Sequence, residues 1–268
     1  MPFAAIRDLH VHYEIRGRGP RLLCIGGSGW DLRHSPNIFE TSIARDFEVL
    51  AYDQRGMGQT SAPDVDCTMT DYAADAHALL NLLGWDRCHV LGISFGGMVA
   101  QELALRYPAY IERLVLACTS SGGAGGASYP LHTLAELTRE EYARRIVALG
   151  DTRRDQAWQA QNTAVFEAMV KQTRTRLQAG QQDRTGARRQ LEARAQHDTY
   201  DRLPNLRMPV FVCGGRYDGI ALPANLEALA ARVPGARLEL FDGGHNFFLQ
   251  DKRACLRISA FLLDSLND

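Results

Sequence analysis

Short apolar runs alternate along this chain with longer stretches in which apolar positions return at helical spacing. The runs at 22–25, 47–52, 89–91, 113–118, 209–213 and 237–241 predict strands. Residues 70–83 carry Tyr72, Ala73, Ala76, Leu79, Leu80 and Leu83 on one helical face, and Gly84 stops that run. Helices are also predicted over 36–46, just after Ser94, over 224–232 and over 252–266. Near the start, residues 11–16 end in Gly17-Arg18-Gly19-Pro20 and lead into 22–25, which predicts a two-stranded hairpin. Strands alternating with helices imply right-handed crossovers, a mostly parallel central sheet flanked by helices, and functional groups at the carboxyl ends of the strands.

The alternation breaks at Ser120-Ser121-Gly122-Gly123-Ala124-Gly125-Gly126. From 131 to 196 the chain is rich in Arg, Gln, Glu and Ala and offers no convincing strand. Apolar residues return at helical spacing in Leu134, Leu137, Tyr142 and Ile146, and again in Val165, Met169 and Val170. A glycine-rich entry followed by helices alone predicts an inserted helical lid over 122–203, carried by one α/β core domain made of 1–121 and 204–268.

At 268 residues the chain is long enough to bury a substantial core. Its 30 basic and 31 acidic residues leave no charge bias toward nucleic acid or an anionic membrane. Six cysteines include no C-x-x-C pair, and four sit in apolar runs, so they read as small buried hydrophobes of a reducing compartment. There is no secretory apolar core at the N-terminus and no membrane-length apolar stretch, so a soluble cytoplasmic protein is expected. The histidines are scattered without ligand spacing, which implies no metal, and no other cofactor is expected. The sequence leaves self-association into a homo-oligomer open.

Candidate chemistry centres on Gly92-Ile93-Ser94-Phe95-Gly96, between the run at 89–91 and an apolar helical stretch. A strand that reverses into a helix within a few residues strains the residue at the tip, and small flanking residues let the two arms approach. Ser94 would then expose its hydroxyl beside a helix N-terminus, where backbone amides such as that of Phe95 can stabilise an anion. A serine hydroxyl needs a base to take its proton, and the base needs a carboxylate to fix its tautomer. Asp218 follows the strand at 209–213 and His245 follows the strand at 237–241, which gives the order serine, acid, histidine. Asp242 competes as the acid, but three residues before His245 it is badly placed to reach the far side of the ring; residues 119–121 offer no carboxylate. In Gly26-Gly27-Ser28-Gly29-Trp30 either a plain turn or a set of amides facing a ligand fits the residues. Asp53 and Arg55 read as holding a glycine-rich turn by local hydrogen bonds, and His77 reads as structural.

These motifs resemble the α/β-hydrolase fold superfamily over essentially the whole chain. The likeness rests on Gly92-Ile93-Ser94-Phe95-Gly96-Gly97, Asp53-Gln54-Arg55-Gly56-Met57-Gly58, Gly215-Arg216-Tyr217-Asp218 and Gly243-Gly244-His245. It points to the lid-bearing branch of enol-lactonases, small esterases, carbon-carbon bond hydrolases and cofactor-free haloperoxidases. The resemblance implies a Ser94, His245 and Asp218 triad and an oxyanion hole built from the amide of Phe95 and one amide of the 26–29 loop. Gly26-Gly27 stands where many relatives have His-Gly, so Ser28 aligns with the donor, with Gly27 and Gly29 as alternatives. The implied activity is hydrolysis of a carboxylic ester or lactone of a small to medium, partly apolar substrate. Diketone cleavage, haloperoxidation and a ligand-binding receptor are the alternatives; a serine argues against haloalkane dehalogenase or epoxide hydrolase chemistry. Trp30, Met98, Tyr129, Trp158, Phe166 and Phe247 are candidates to line an apolar pocket, each weighed against ordinary packing.

Overall fold

In the computed structural model, which describes residues 2–179 and 184–264, the apolar runs become strands of one sheet. They are β1 (Phe3–Ile6), β2 (Leu9–Gly17), β3 (Arg21–Ile25), β4 (Glu48–Tyr52), β5 (Cys88–Ile93), β6 (Ile111–Ala117), β7 (Val210–Gly215) and β8 (Arg237–Phe241). Their order is β1-β2-β4-β3-β5-β6-β7-β8. The pairs from β4 to β8 run parallel, while β1 and β2 join antiparallel at one edge. Every residue of β5 and β7 is buried, as strands covered by helices on both faces require.

Alternate residues feed two cores, because successive side chains of a strand point to opposite faces. Leu23, Ile25, Leu50, Val90 and Leu116 pack with α2 (Met69–Leu82), α3 (Phe95–Arg106) and α8 (Pro223–Arg232). Leu22, Cys24, Val49, Leu91 and Val115 pack on the other face with α1 (Ile43–Asp46) and α10 (Arg253–Leu262). The chain crosses from β4 over β3 to β5, so the order reverses between β3 and β5. In such sheets the crevice at that switch point is where ligands bind.

Between β6 and β7 the described residues form helices and no sheet strand: α4 (Arg139–Leu149), α5 (Gln156–Gln161), α6 (Thr163–Ala179) and α7 (Arg184–Ala195). Thr138 and Glu141 form a capping box that starts α4. An isolated bridge pairs Gly122, after β6, with Asp198, before β7.

Three expectations change. The 11–16 and 22–25 runs do not pair as a hairpin; β2 pairs with β1 and β4, and β4 lies between β2 and β3. Gly17 and Gly19, with φ of 89° and 123°, carry the connection across the start of β4, against the carbonyls of Phe47 and Asp46. The 36–46 helix is a 3₁₀ turn (Ile38–Glu40) followed by α1, because the Thr41 hydroxyl takes the Ile38 carbonyl at 2.7 Å and Thr41 is extended. The 252–266 helix is observed as α10, preceded by the short α9 (Phe247–Gln250); residues 265–266 lie outside the described residues.

Candidate active site

β5 ends at Ile93 and α3 begins at Phe95, so Ser94 alone turns the chain, with φ 56° and ψ −116°. A non-glycine residue at such an angle is strained, and its surroundings hold it there. The Ser94 amide donates to the Ala117 carbonyl at 2.8 Å, and the Thr119 hydroxyl donates to the Ser94 carbonyl at 2.8 Å. The flanking glycines are required by contact: a Cβ on Gly96 would lie 2.0 Å from the Ile25 carbonyl oxygen, and one on Gly92 would lie 2.5 Å from the Gly96 carbonyl oxygen.

His245 follows β8 and brings its Nε2 to 3.0 Å from the Ser94 Oγ. Its Nδ1 lies 2.7 Å from Oδ2 of Asp218, which follows β7. The other oxygen of Asp218 accepts from the amides of Ile220 and Ala221 at 2.7 and 2.9 Å, and the carboxylate is buried. An acceptor at Nδ1 favours the tautomer protonated there, which leaves the Nε2 lone pair facing the serine hydroxyl. The competing acid Asp242 is exposed and pairs with Arg153 at 2.9 Å.

The 26–29 loop after β3 lies across the switch point from Ser94, and a Cβ on Gly27 would stand 3.4 Å from the Ser94 Cβ. The last of its amides and the one after it are engaged: Gly29 donates to Gln190 Oε1 at 2.9 Å, and Trp30 donates to the Gly27 carbonyl at 3.2 Å. The amide of Phe95, at the first position of α3, has no acceptor within its helix. Gln54 Nε2 donates to the Gly26 carbonyl at 2.8 Å and ties the loop to the turn after β4.

Asp53 and Arg55 support that turn from inside. Asp53 accepts from the amides of Leu32 and Gln59 at 2.8 and 3.0 Å and contacts His12 Nδ1 at 2.9 Å; burial pushes its carboxyl up, against those donors. Arg55 pairs with the buried Asp75 at 2.6 Å. His77 stacks on Tyr107 at 3.7 Å between ring centres. Burial holds the Cys24 and Cys88 thiols near 12 and raises those of Cys118 and Cys213 as well, so none of these four is a competing thiolate.

Of the apolar candidates, Phe247 is fully buried against Phe241, Phe166 and Trp158 pack inside the insertion, Tyr129 packs against the Leu131, Leu134 and Ile220 cluster, and Trp30 packs on the second core. Met98 lines a cavity beside the first turn of α3. Several residues at the site carry no signal in the sequence. Gly150 and Leu149, at the end of α4, accept from the amides of His245 and Gly219 at 2.7 and 2.9 Å. Gln250 accepts from Gly244 at 2.7 Å and donates to Asp151 at 3.0 Å.

The model of the alpha/beta hydrolase fold matches residues 22–252, and the chain belongs to that family. It is a hydrolase built on an eight-stranded, mostly parallel sheet. In sequence it is 27% identical over 236 residues to a poly(3-hydroxyalkanoate) depolymerase of Ectopseudomonas oleovorans, across 85% of this chain and 78% of that one. In structure it is similar to the enol-lactonase of Burkholderia xenovorans LB400, with a TM-score of 0.77, 25% identity and both chains covered to 100%. A meta-cleavage product hydrolase of Pseudomonas fluorescens IP01 shares the fold at a TM-score of 0.82 and 19% identity, covering 99% of this chain and 98% of that one. Among the described residues no helix is long and apolar enough to cross a membrane.

Proposed function

We propose that the chain is a serine hydrolase that cleaves a carboxylic ester or lactone of a small to medium, partly apolar substrate through an acyl-enzyme. The observation that carries this reading is the continuous contact from the Ser94 hydroxyl through His245, at 3.0 Å, to the buried Asp218, at 2.7 Å. His245 takes the proton as Ser94 attacks the carbonyl carbon, Asp218 stabilises the imidazolium, and His245 then hands the proton to the departing alcohol. Water enters by the same route in reverse and releases the acid. The oxyanion is held by the amides of Phe95 and Ser28, with Gly27 as the alternative, since the amides of Gly29 and Trp30 are already engaged. The helices between β6 and β7 act as the lid, and residues 1–121 with 204–268 form the core domain under it. The relative named a depolymerase and the neighbour named an enol-lactonase support an ester or lactone as the bond cleaved.

Labelling with a fluorophosphonate serine probe, followed by a panel of short esters, lactones and diketones, tests the reading. Wild type is expected to label and to turn over an ester or lactone. Ser94→Ala is expected to lose the label and to slow turnover on the order of 10⁴-fold or more. Near-native turnover in purified Ser94→Ala, or turnover of diketones alone, would rule it out.

A further inference from the structure

Beneath α7, beside the first turn of α3, lies a cavity of about 70 Å³, well above what one water needs. Its polar walls come from Ser120, Ser128, His132, Arg194 and His197, and Met98 is among its apolar lining. Met98 stands one helical turn beyond Ser94, whose carbonyl its amide approaches at 3.4 Å. Ser120 of the lining follows Thr119, whose hydroxyl donates to the Ser94 carbonyl at 2.8 Å, so the cavity lies beside the elbow that carries the serine.

Arg194 is the unusual residue. It is 7% exposed, its one hydrogen bond among the described residues is to the Tyr129 carbonyl at 2.6 Å, and its buried Nε finds no partner among them. Other buried arginines are matched by acids, Arg55 by Asp75 and Arg189 by Asp64, but among the described residues no carboxylate lies within ion-pair distance of Arg194. The charged or titratable groups it senses are Tyr142 and Asp218, and burial lowers its guanidinium to about 10, so it stays charged at neutral pH. His197 is equally buried, with the Ser120 backbone beside its ring, and neither ring nitrogen makes a hydrogen bond among the described residues. Neutral at pH 7, that ring offers one N–H. The Ser120 and Ser128 hydroxyls bond each other at 2.8 Å, which leaves one of their two protons free.

A buried planar cation beside unspent donors is matched by a planar anion. The walls are rigid: Thr199 donates to the Ser121 carbonyl at 2.8 Å, and a Cβ on Gly122 would strike the His197 carbonyl at 1.8 Å. We propose that this cavity is an anion subsite in which Arg194 and His197 hold a carboxylate of the substrate, so that the ester or lactone cleaved at Ser94 carries a second, free carboxylate. This deepens the hydrolase reading and rests on it for turnover, though not for binding.

The test uses the monoethyl esters of succinic, glutaric and adipic acids beside their diethyl esters, with calorimetric binding to full-length Ser94→Ala so that turnover is not needed. At least one half-ester is expected to bind ten-fold or more tightly than its diester, and Arg194→Met in the same background is expected to abolish the difference. In the active enzyme, Arg194→Met is expected to lower kcat/KM on the half-ester at least ten-fold more than on the diester. If Arg194→Met does not fold, Arg194→Lys, which keeps the charge and loses the fork, is expected to weaken half-ester binding several-fold. No half-ester preference, or a preference that survives both substitutions, overturns the subsite, the latter because the carboxylate then sits at the catalytic serine. Absent fluorophosphonate labelling with Arg194-dependent half-ester binding sinks only the serine-hydrolase reading; labelling without half-ester preference sinks only the subsite.

Discussion

Ser94 keeps its positive φ because the residues around it have no side chain to spare. Gly96 is the tightest point: a Cβ there meets the Ile25 carbonyl oxygen at 2.0 Å and the Gly26 carbonyl oxygen at 2.5 Å, both backbone atoms that cannot rotate away. Gly96→Ala is therefore expected to destabilise the fold by about 2 kcal/mol or more. It should also displace the 26–29 loop enough to weaken fluorophosphonate labelling. Urea unfolding and labelling rate check both, and an unchanged midpoint would mean the elbow is looser than these contacts require. At this scale the sequence was informative, since Gly92, Ser94 and Gly96 form a local pattern. Gln54 and Gln190 were not legible, because their partners lie 28 and 161 residues away and a lone glutamine announces neither.

At the scale of elements, α7 and the loop after β3 are joined through Gln190, whose side chain is buried and accepts the Gly29 amide. Gln190→Ala leaves that amide without its partner and is expected to cost about 1–3 kcal/mol. Faster proteolysis within the insertion should accompany it. Thermal unfolding with limited trypsin digestion reads both effects, and wild-type behaviour in each would mean the contact is incidental. The same joining explains where pattern reading failed. The apolar runs 11–16 and 22–25 are strands with a glycine turn between them, but pairing is chosen by which edge has room. β4 takes the place between β2 and β3 because it can run parallel to one and antiparallel to the other.

For the whole molecule, buried histidines make stability depend on pH. Burial holds His197 at about 4, below its ordinary 6.5. Between those values the unfolded chain binds the proton that the folded chain refuses, so stability is full above about 6.5 and falls as pH drops toward about 4. At about 1.4 kcal/mol per unit the loss amounts to about 3 kcal/mol. His89, lowered by burial as well, acts with the same sign, whereas depressed carboxylates such as Asp151 and Glu102 are lost only at lower pH. Urea midpoints are expected to fall between pH 7 and 4.5, with a shallower fall in His197→Gln. Equal slopes would remove His197 as the cause.

By itself the sequence determined what is written locally: strands from apolar alternation, helices from their spacing and caps, a helical stretch between β6 and β7 from the loss of strand pattern, and the order Ser94, Asp218, His245 at strand ends. Tertiary structure alone decided which strand lies beside which and that the end of α4 is stitched to the loops of Asp218 and His245. It alone left Arg194 buried without an acid among the described residues while Arg55 and Arg189 found theirs. The reason is physical. Local pattern records which face of an element avoids water, whereas pairing, cavities and unmatched charges arise from contacts between residues far apart in the chain, each settled by shape and by which polar groups remain unsatisfied.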